Sequence, residues 1–248
     1  MASPALSAPA RADSPYEKWY RHFLKNRETS YVQPRASRQL TPAERTFVTK
    51  SIQQFQLGEW ARGRGLRRRA SLHPAFAADP WFLPALDLFI AEEQSHSSAL
   101  GNFLDHESIP RLAAHWVDGV FRRLRKLAGL ELCVMVLVTA EVLAMPFYRA
   151  LRNATHSTLL RAICSRVLHD ETAHLAYQAL TLGLIRRPLP GTARALHALG
   201  GWVLFHSTAL ILWQQHRSVF LAAGWDFRAF WKDARRWFRF LTVRIDGI

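Results

Sequence analysis

Four stretches of this sequence repeat apolar residues at intervals of three and four, and each places one acidic residue in phase with them. Such spacing is typical of an amphipathic helix that turns its apolar stripe towards a core. A carboxylate on that stripe is costly to bury unless it is paired or binds a metal ion. The acids therefore need a common partner, and they are Glu59, Glu93, Glu141 and Glu171.

The same periodicity predicts the fold class and the helix boundaries. No run of alternating β-branched residues bounded by turns interrupts the helical stretches, so we predict an all-α fold. Thr41, Pro42 and Glu44 have capping-box spacing and predict the start of the first helix. Its stripe continues through Glu59 to Leu66. The other three helices are predicted from about Pro84 to His106, over 129–152 and over 157–183.

Two of the four helices carry a histidine three residues after the acid, which gives Glu93-x-x-His96 and Glu171-x-x-His174. Residues three apart lie on one helix face. The acids are 34 residues apart in the first helix pair and 30 apart in the second, which suits antiparallel neighbours. The middle spacing of 48 residues suits a long crossover, in which "RLAAHWVDGVFRRLRKLAG" predicts a short basic helix.

Carboxylates and imidazoles on four converging stripes predict a site for two divalent metal ions, which balance the charge of four carboxylates. One Glu-x-x-His match is weakly specific, and the prediction depends on two matches in phase with two further acids. Oxygen and imidazole ligands without thiolates favour iron, with manganese as the alternative. The predicted ligands are Glu59, Glu93, His96, Glu141, Glu171 and His174, with Glu93 or Glu171 bridging the metals and Glu59 and Glu141 terminal.

In this ligand pattern the sequence resembles the ferritin-like di-iron carboxylate superfamily, over about residues 42–183. "EEQSH" and "DETAH" are similar to the paired motifs of acyl-carrier desaturases and bacterial multicomponent monooxygenases. The resemblance implies a four-helix bundle with a long crossover between its second and third helices, and an O₂-dependent di-iron enzyme. It also implies that Glu92 and Asp170, four residues before the ligand histidines, hydrogen-bond the ligand imidazoles.

Three departures limit what the resemblance implies about the reaction. Leu100 stands where ribonucleotide-reductase small subunits have a radical tyrosine, and Met145 where methane-type monooxygenases have threonine. Val167 stands where the N-oxygenase branch has an extra histidine ligand. Hydroxylation, desaturation and N-oxygenation all remain open. No flavin, iron–sulfur or nicotinamide motif is present, so the electrons need an external donor.

Aromatic residues near the predicted ligands indicate a lipophilic substrate pocket. They are Phe55, Trp60, Phe89, Phe147 and Tyr148. The net charge of +14 favours an acidic partner, such as an acidic carrier protein or an anionic membrane surface. The alternatives are a tRNA-modifying di-iron hydroxylase, an iron-handling ferritin-like protein and a membrane-bound quinol-type oxidase, although no nucleic-acid-binding module is recognisable.

The remaining segments divide the chain into a disordered tail (1–15), the di-metal bundle with an N-terminal extension (16–190) and a helical extension (191–248). Residues 195–216 lack Lys, Arg, Asp and Glu and predict a helix packed on the bundle or in a homodimer interface, with a membrane span as the alternative. Residues 225–248 predict a basic amphipathic helix that binds a membrane surface or a partner. The basic run "RGRGLRRR" (62–69) is either the end of the first helix or a phosphate-docking patch.

Cysteine usage bears on the compartment. The chain has two cysteines, Cys133 and Cys164, which is typical of a reducing compartment and favours the cytoplasm, with peripheral membrane association as an extension. Antiparallel third and fourth helices would hold these cysteines at opposite ends, about 22 Å apart. We therefore predict two buried thiols and no disulfide between them.

Overall fold

The computed structural model describes residues 14–27, 39–60, 63–127 and 129–248. These residues form nine α-helices and no strand, so the predicted all-α class is confirmed. Most of the predicted tail (1–15) lies outside them. The helices are α1 (Glu17–Arg27), α2 (Pro42–Glu59), α3 (Arg64–Ser71), α4 (Phe82–His106), α5 (Trp116–Leu127), α6 (Leu130–Ala154), α7 (Thr158–Arg186), α8 (Gly191–Ala222) and α9 (Phe227–Asp246).

The four predicted acid-bearing helices are α2, α4, α6 and α7, and their apolar stripes form the centre of the molecule. α6 packs along α7, α2 packs along α4, and α4 also contacts α7. The chain between α4 and α6 contains α5, where the sequence predicted a short basic helix. Only residues 155–157 separate α6 from α7.

The start of α2 has the predicted capping box. The Thr41 hydroxyl accepts a hydrogen bond from the backbone N–H of Glu44, and the Glu44 carboxylate accepts one from the backbone N–H of Thr41 at 2.7 Å. The other Glu44 oxygen accepts hydrogen bonds from the backbone N–H of His156 at 2.6 Å and from the Thr155 hydroxyl at 3.2 Å. One carboxylate therefore joins the start of α2 to the turn between α6 and α7.

The predicted continuation of the first helix to Leu66 is wrong. α2 ends at Glu59, and Trp60 has extended backbone angles, so Leu66 lies on α3. Gly63 precedes α3 with a φ of 62°, and a Cβ at this position would collide with the side chain of Ile90. Glycine permits both the positive φ and the close approach to α4. The basic run at 62–69 therefore lies mostly on α3 rather than at the end of α2.

The C-terminal extension packs on the acid-bearing helices. α8 contacts α6 and α2, and α9 contacts α6 and α7. Among the described residues, α6 and α8 are long and apolar enough to cross a membrane. Their most apolar windows differ in burial, with 78 % of the α6 window buried but only 22 % of the α8 window. α6 is thus a core helix, whereas α8 covers the core with one face and exposes the other.

The predicted state of the cysteines is confirmed. Cys133 on α6 and Cys164 on α7 are both buried, and no disulfide joins them.

Candidate metal centre

The structure brings the six predicted ligand residues together between α2, α4, α6 and α7. Their donor atoms form two groups, and within each group all donor atoms lie within 4.8 Å of one another. One group comprises Glu59, Glu93, His96 and Glu171, and the other comprises Glu93, Glu141, Glu171 and His174. Glu93 and Glu171 belong to both groups, which is the arrangement expected of carboxylates between two metal ions.

The inward-facing atoms fit a cation better than they fit one another. Oε2 of Glu141 and both carboxylate oxygens of Glu171 are buried without a hydrogen bond. The Nδ1 atom of His174 lies 2.8 Å from Oε1 of Glu93 and 3.5 Å from Oε2 of Glu171. Buried polar atoms normally have a partner. Oxygen and nitrogen atoms that converge without hydrogen bonds are available as ligands for a metal ion.

The electrostatics of the cluster indicate the same requirement. Burial raises the pKa of Glu59 and Glu141 well above the usual value, and the charges of Glu93 and Glu171 raise it further. Burial would lower the pKa of His96 and His174, but their carboxylate partners raise it well above the usual value. Protons and a divalent cation would therefore compete for the same side-chain atoms.

The outer hydrogen bonds of the two imidazoles cross between α4 and α7. Nε2 of His174 on α7 lies 2.7 Å from Oε2 of Glu92 on α4. Nε2 of His96 on α4 lies 3.1 Å from Oδ2 of Asp170 on α7. Each acid thus fixes the histidine of the opposite helix and leaves both Nδ1 atoms directed inward. Both residues contact imidazoles, as the resemblance implied.

Sequence reasoning missed two residues that complete this outer network. Asn26 at the end of α1 donates through Nδ2 to Oδ1 of Asp170 at 2.8 Å, and also to Oε1 of Glu92. Arg166 donates to Oδ2 of Asp170 at 2.8 Å and to the backbone oxygen of Asn26 at 3.2 Å. Burial would raise the pKa of Asp170, but its hydrogen bonds with His96, Asn26 and Arg166 hold it at about 2. No sequence pattern links Asn26 to the acids, because α1 carries no acid in an apolar stripe.

Glu59 has a separate partner in Tyr148 on α6. The Tyr148 hydroxyl donates to Oε1 of Glu59 at 2.9 Å. Burial raises the pKa of Tyr148 well above its usual value, and the Glu59 charge raises it further. Tyr148 is therefore a neutral donor that orients the Glu59 carboxylate.

A cavity of about 160 Å³ reaches this cluster from the side where α8 packs against α2 and α6. All four carboxylates that the sequence singled out line it. Its remaining wall is mainly apolar and comes from α2, α6, α8 and the start of α5, including Phe55, Leu137, Ala140, Leu143, Ala144, Val117, Ile211 and Leu212. Polar groups of Gln54, His115, Thr208, Gln215 and His216 complete it.

Of the five residues predicted to line a substrate pocket, only Phe55 lines this cavity. Trp60 follows the last residue of α2, and 45 % of its surface is exposed. Phe89 packs edge-on against His174 at 4.7 Å between ring centroids and lines a smaller void. Phe147 and Tyr148 are fully buried. Phe147 stacks on Phe55 at 3.6 Å between ring centroids, so Phe147 supports a wall residue without lining the cavity itself.

Sequence reasoning also missed His216, which lines the cavity. Its backbone departs from helical angles and marks a kink in α8, and its Nδ1 lies 2.9 Å from the Ser51 hydroxyl on α2. Burial lowers the pKa of His216 to about 3, so the ring is neutral. Tertiary packing brings this part of α8 to the cavity, and no local sequence motif predicts the position of His216.

No family model, curated protein or solved structure matches this chain.

Proposed function

We propose that this protein binds two iron ions in the cluster and is an O₂-dependent oxidoreductase acting on a lipophilic substrate. The observation that carries the proposal is the pair of four-residue donor groups that share Glu93 and Glu171 at the inner end of an apolar cavity. The packing of α2, α4, α6 and α7, with α5 in the crossover, supports a ferritin-like bundle.

In this proposal each residue has a defined role towards the metals. Glu59 and His96 would hold one iron ion and Glu141 and His174 the other, with Glu93 and Glu171 available to both. When bound, the iron ions supply the binding and reduction of O₂, for which an external donor provides electrons. Manganese is the alternative metal for the same donor set.

The cavity supports an organic substrate over iron storage or transfer. Its wall is mainly apolar, and four carboxylates line it, so an apolar group inside it would lie against the metals and displace water. An iron-handling protein needs a polar path for hydrated ions, whereas apolar side chains make up most of the wall outside the four carboxylates. The cavity supports a slender apolar group, such as part of an acyl chain, as the reacting portion of the substrate.

Metal content per chain is the first test. The protein would be reconstituted anaerobically with Fe(II), desalted and analysed by plasma mass spectrometry, beside a Glu141→Ala/His174→Ala double variant. A matched control is Glu17→Ala/His106→Ala, which removes the same residue types from outside the cluster. We expect about two iron ions per chain in the wild type and control, and clearly fewer in the double variant.

The reaction type is tested second. Iron-loaded protein with a chemical reductant should consume O₂ faster when fatty acyl substrates are present than in their absence. Equal metal content in the wild type and the double variant would leave the cluster with a structural role only. Two iron ions without substrate-dependent O₂ consumption would retain the metal site and overturn the proposed reaction.

A further inference from the structure

The outward face of α8 is an exposed apolar surface. Five large side chains on it form the α8 stripe, which comprises Leu196, Leu199, Trp202, Val203 and Leu210. Each is at least half exposed, from 51 % for Trp202 to 70 % for Leu196. No Asp, Glu, Lys or Arg occurs between residues 195 and 216. Contiguous exposed apolar surface of this kind marks an interaction site rather than ordinary solvent-facing helix.

The packing of α8 fixes how this surface could meet an apolar phase. From Gly201 onward the opposite face of α8 is buried, with Phe205, Thr208, Ala209 and Trp213 directed into the molecule. A helix held along one side by α6, α2 and α9 cannot also be surrounded by lipid. The α8 stripe can therefore lie flat on an apolar phase.

A row of cations lies on α9, which packs beside α8. Arg228, Lys232, Arg235 and Arg239 of α9 are exposed, recur at intervals of four, three and four, and form the α9 basic row. One of two aromatic contacts on this side joins α8 to α9. The ring of Trp202 lies 3.9 Å from that of His206, which lies 5.2 Å from that of Trp231 on α9. No ion pair within 4 Å joins the row to a carboxylate of the described residues.

We propose that the α8 stripe and the α9 basic row together bind the surface of an anionic membrane, with α8 lying in the plane of the interface. Apolar side chains enter the boundary between headgroups and acyl chains, tryptophans lie at the headgroup level, and arginines contact anionic headgroups. The surface combines these three features on adjacent helices. The inference stands without the metal centre, because no residue of the cluster contributes to it.

The charge distribution favours a membrane over a second copy of this chain. A symmetrical contact between two α8 stripes would bring two α9 basic rows towards each other. Each copy has a net charge of +14, so the approach would be repulsive. A bilayer with anionic lipids offers both the apolar phase and the opposite charge.

Vesicle co-sedimentation tests the inference with the full chain. Vesicles of phosphatidylcholine alone are compared with vesicles containing a quarter phosphatidylglycerol, at low and high salt. Leu199→Gln/Leu210→Gln alters the stripe, and Arg235→Gln/Arg239→Gln alters the row. The matched controls are Leu72→Gln, an exposed leucine at the end of α3, and Lys25→Gln/Arg27→Gln on α1, which packs chiefly against α4.

We expect binding to the anionic vesicles that falls about 25-fold in the row variant, at about fivefold per cation. The stripe variant should bind at least tenfold more weakly and lose the binding that remains at high salt. Charge alone would bind a basic protein to these vesicles, so equal binding of the stripe variant and the Leu72→Gln control would overturn the inference. The absence of binding at low salt would also overturn it. A dimer in light scattering that is present in the wild type and lost only in the stripe variant would do the same. Circular dichroism would establish that each variant is folded.

Discussion

At the scale of single residues, the centre depends on side chains that do not face the proposed metals. Glu92 and Asp170 fix the rings of the histidines, and Asn26 links these two acids. The sequence pointed to Glu92 and Asp170 by resemblance, and to the six donors by periodicity and buried charge. It could not point to Asn26, because a single amide at a helix end has no periodic signature.

Asp170→Asn should weaken metal binding by about 10–100-fold, as expected when the outer hydrogen bond of a ligand histidine is disturbed. The amide keeps the shape of the carboxylate but removes the charge that Nε2 of His96 and Arg166 contact. Competition with a chromophoric chelator measures the affinity. Asp105→Asn, on the exposed end of α4, is the control, and equal affinity in the two variants would mean that the outer carboxylate does not orient the ligand.

At the scale of helices, the apolar periodicity placed the ends of α4, α6 and α7 within about three residues, and the misses have physical reasons. The Thr41 and Glu44 capping box placed the start of α2 correctly. The break after Glu59 was missed because Leu66 continues the apolar spacing of α2. The backbone nevertheless leaves the helix, and Gly63 has a positive φ. The cavity wall on α8 was missed because that helix becomes part of the site only through its contacts with α2 and α6.

Gly63→Ala should destabilise the fold by about 1–3 kcal/mol, because the new methyl group meets Ile90 and the positive φ disfavours alanine. Urea unfolding followed by circular dichroism measures the free energy of unfolding. Gly200→Ala is the matched control, since a Cβ there has no neighbour within 4 Å. The control should be stabilised by about 0.5–1 kcal/mol, because alanine favours a helix. The same sign for both variants would contradict the role of Gly63.

Glu44→Gln should lower the free energy of unfolding by about 1–2 kcal/mol at neutral pH, as for other helix caps. Burial would raise the pKa of Glu44, but hydrogen bonds from His156, Thr41 and Thr155 hold it at about 2, below the usual 4.5. A lowered folded-state pKa gives stability that is fully present above about 4.5 and is lost as the pH falls towards 2.

The difference between wild type and Glu44→Gln should therefore shrink when urea unfolding is measured at successively lower pH. Glu17→Gln is the control, because Glu17 pairs with the exposed Arg21. Such pairs contribute about 0–1 kcal/mol. A difference for Glu44→Gln that does not change with pH would show that the neutral hydrogen bonds, and not the charge, hold the turn.

At the scale of the whole molecule, the cluster brings four acidic side chains together between α2, α4, α6 and α7. Four carboxylates enclosed by four helices repel one another unless protons or cations are present. The sequence predicted this convergence, because helix length and spacing alone bring the acids to one level. It could not predict the route into the site, which depends on how α8 closes over α2 and α6.

Metal binding should raise the thermal unfolding temperature. A ligand present at about 100 times its dissociation constant stabilises a protein by about 2.7 kcal/mol, and each kcal/mol corresponds to about 2–4 °C in a chain of this size. We expect an increase of about 5–10 °C with Fe(II) or Mn(II) in differential scanning calorimetry under anaerobic conditions. Glu141→Ala/His174→Ala should show a much smaller increase, and an equal increase would place metal binding elsewhere in the chain.

The crossed hydrogen bonds of α4 and α7 also bear on how the two halves of the molecule depend on each other. The pair α2 and α4 and the pair α6 and α7 each contribute one Glu and one Glu-x-x-His, so the two pairs supply the same residue types. The two pairs also depend on each other, because the outer acid of each pair contacts the histidine of the other. A fragment ending before α6 would keep Glu92 and His96 but would lack the acid that orients His96. Neither helix pair alone forms a complete site. Two copies of one pair could form such a site only if each copy supplied the outer acid for the histidine of the other.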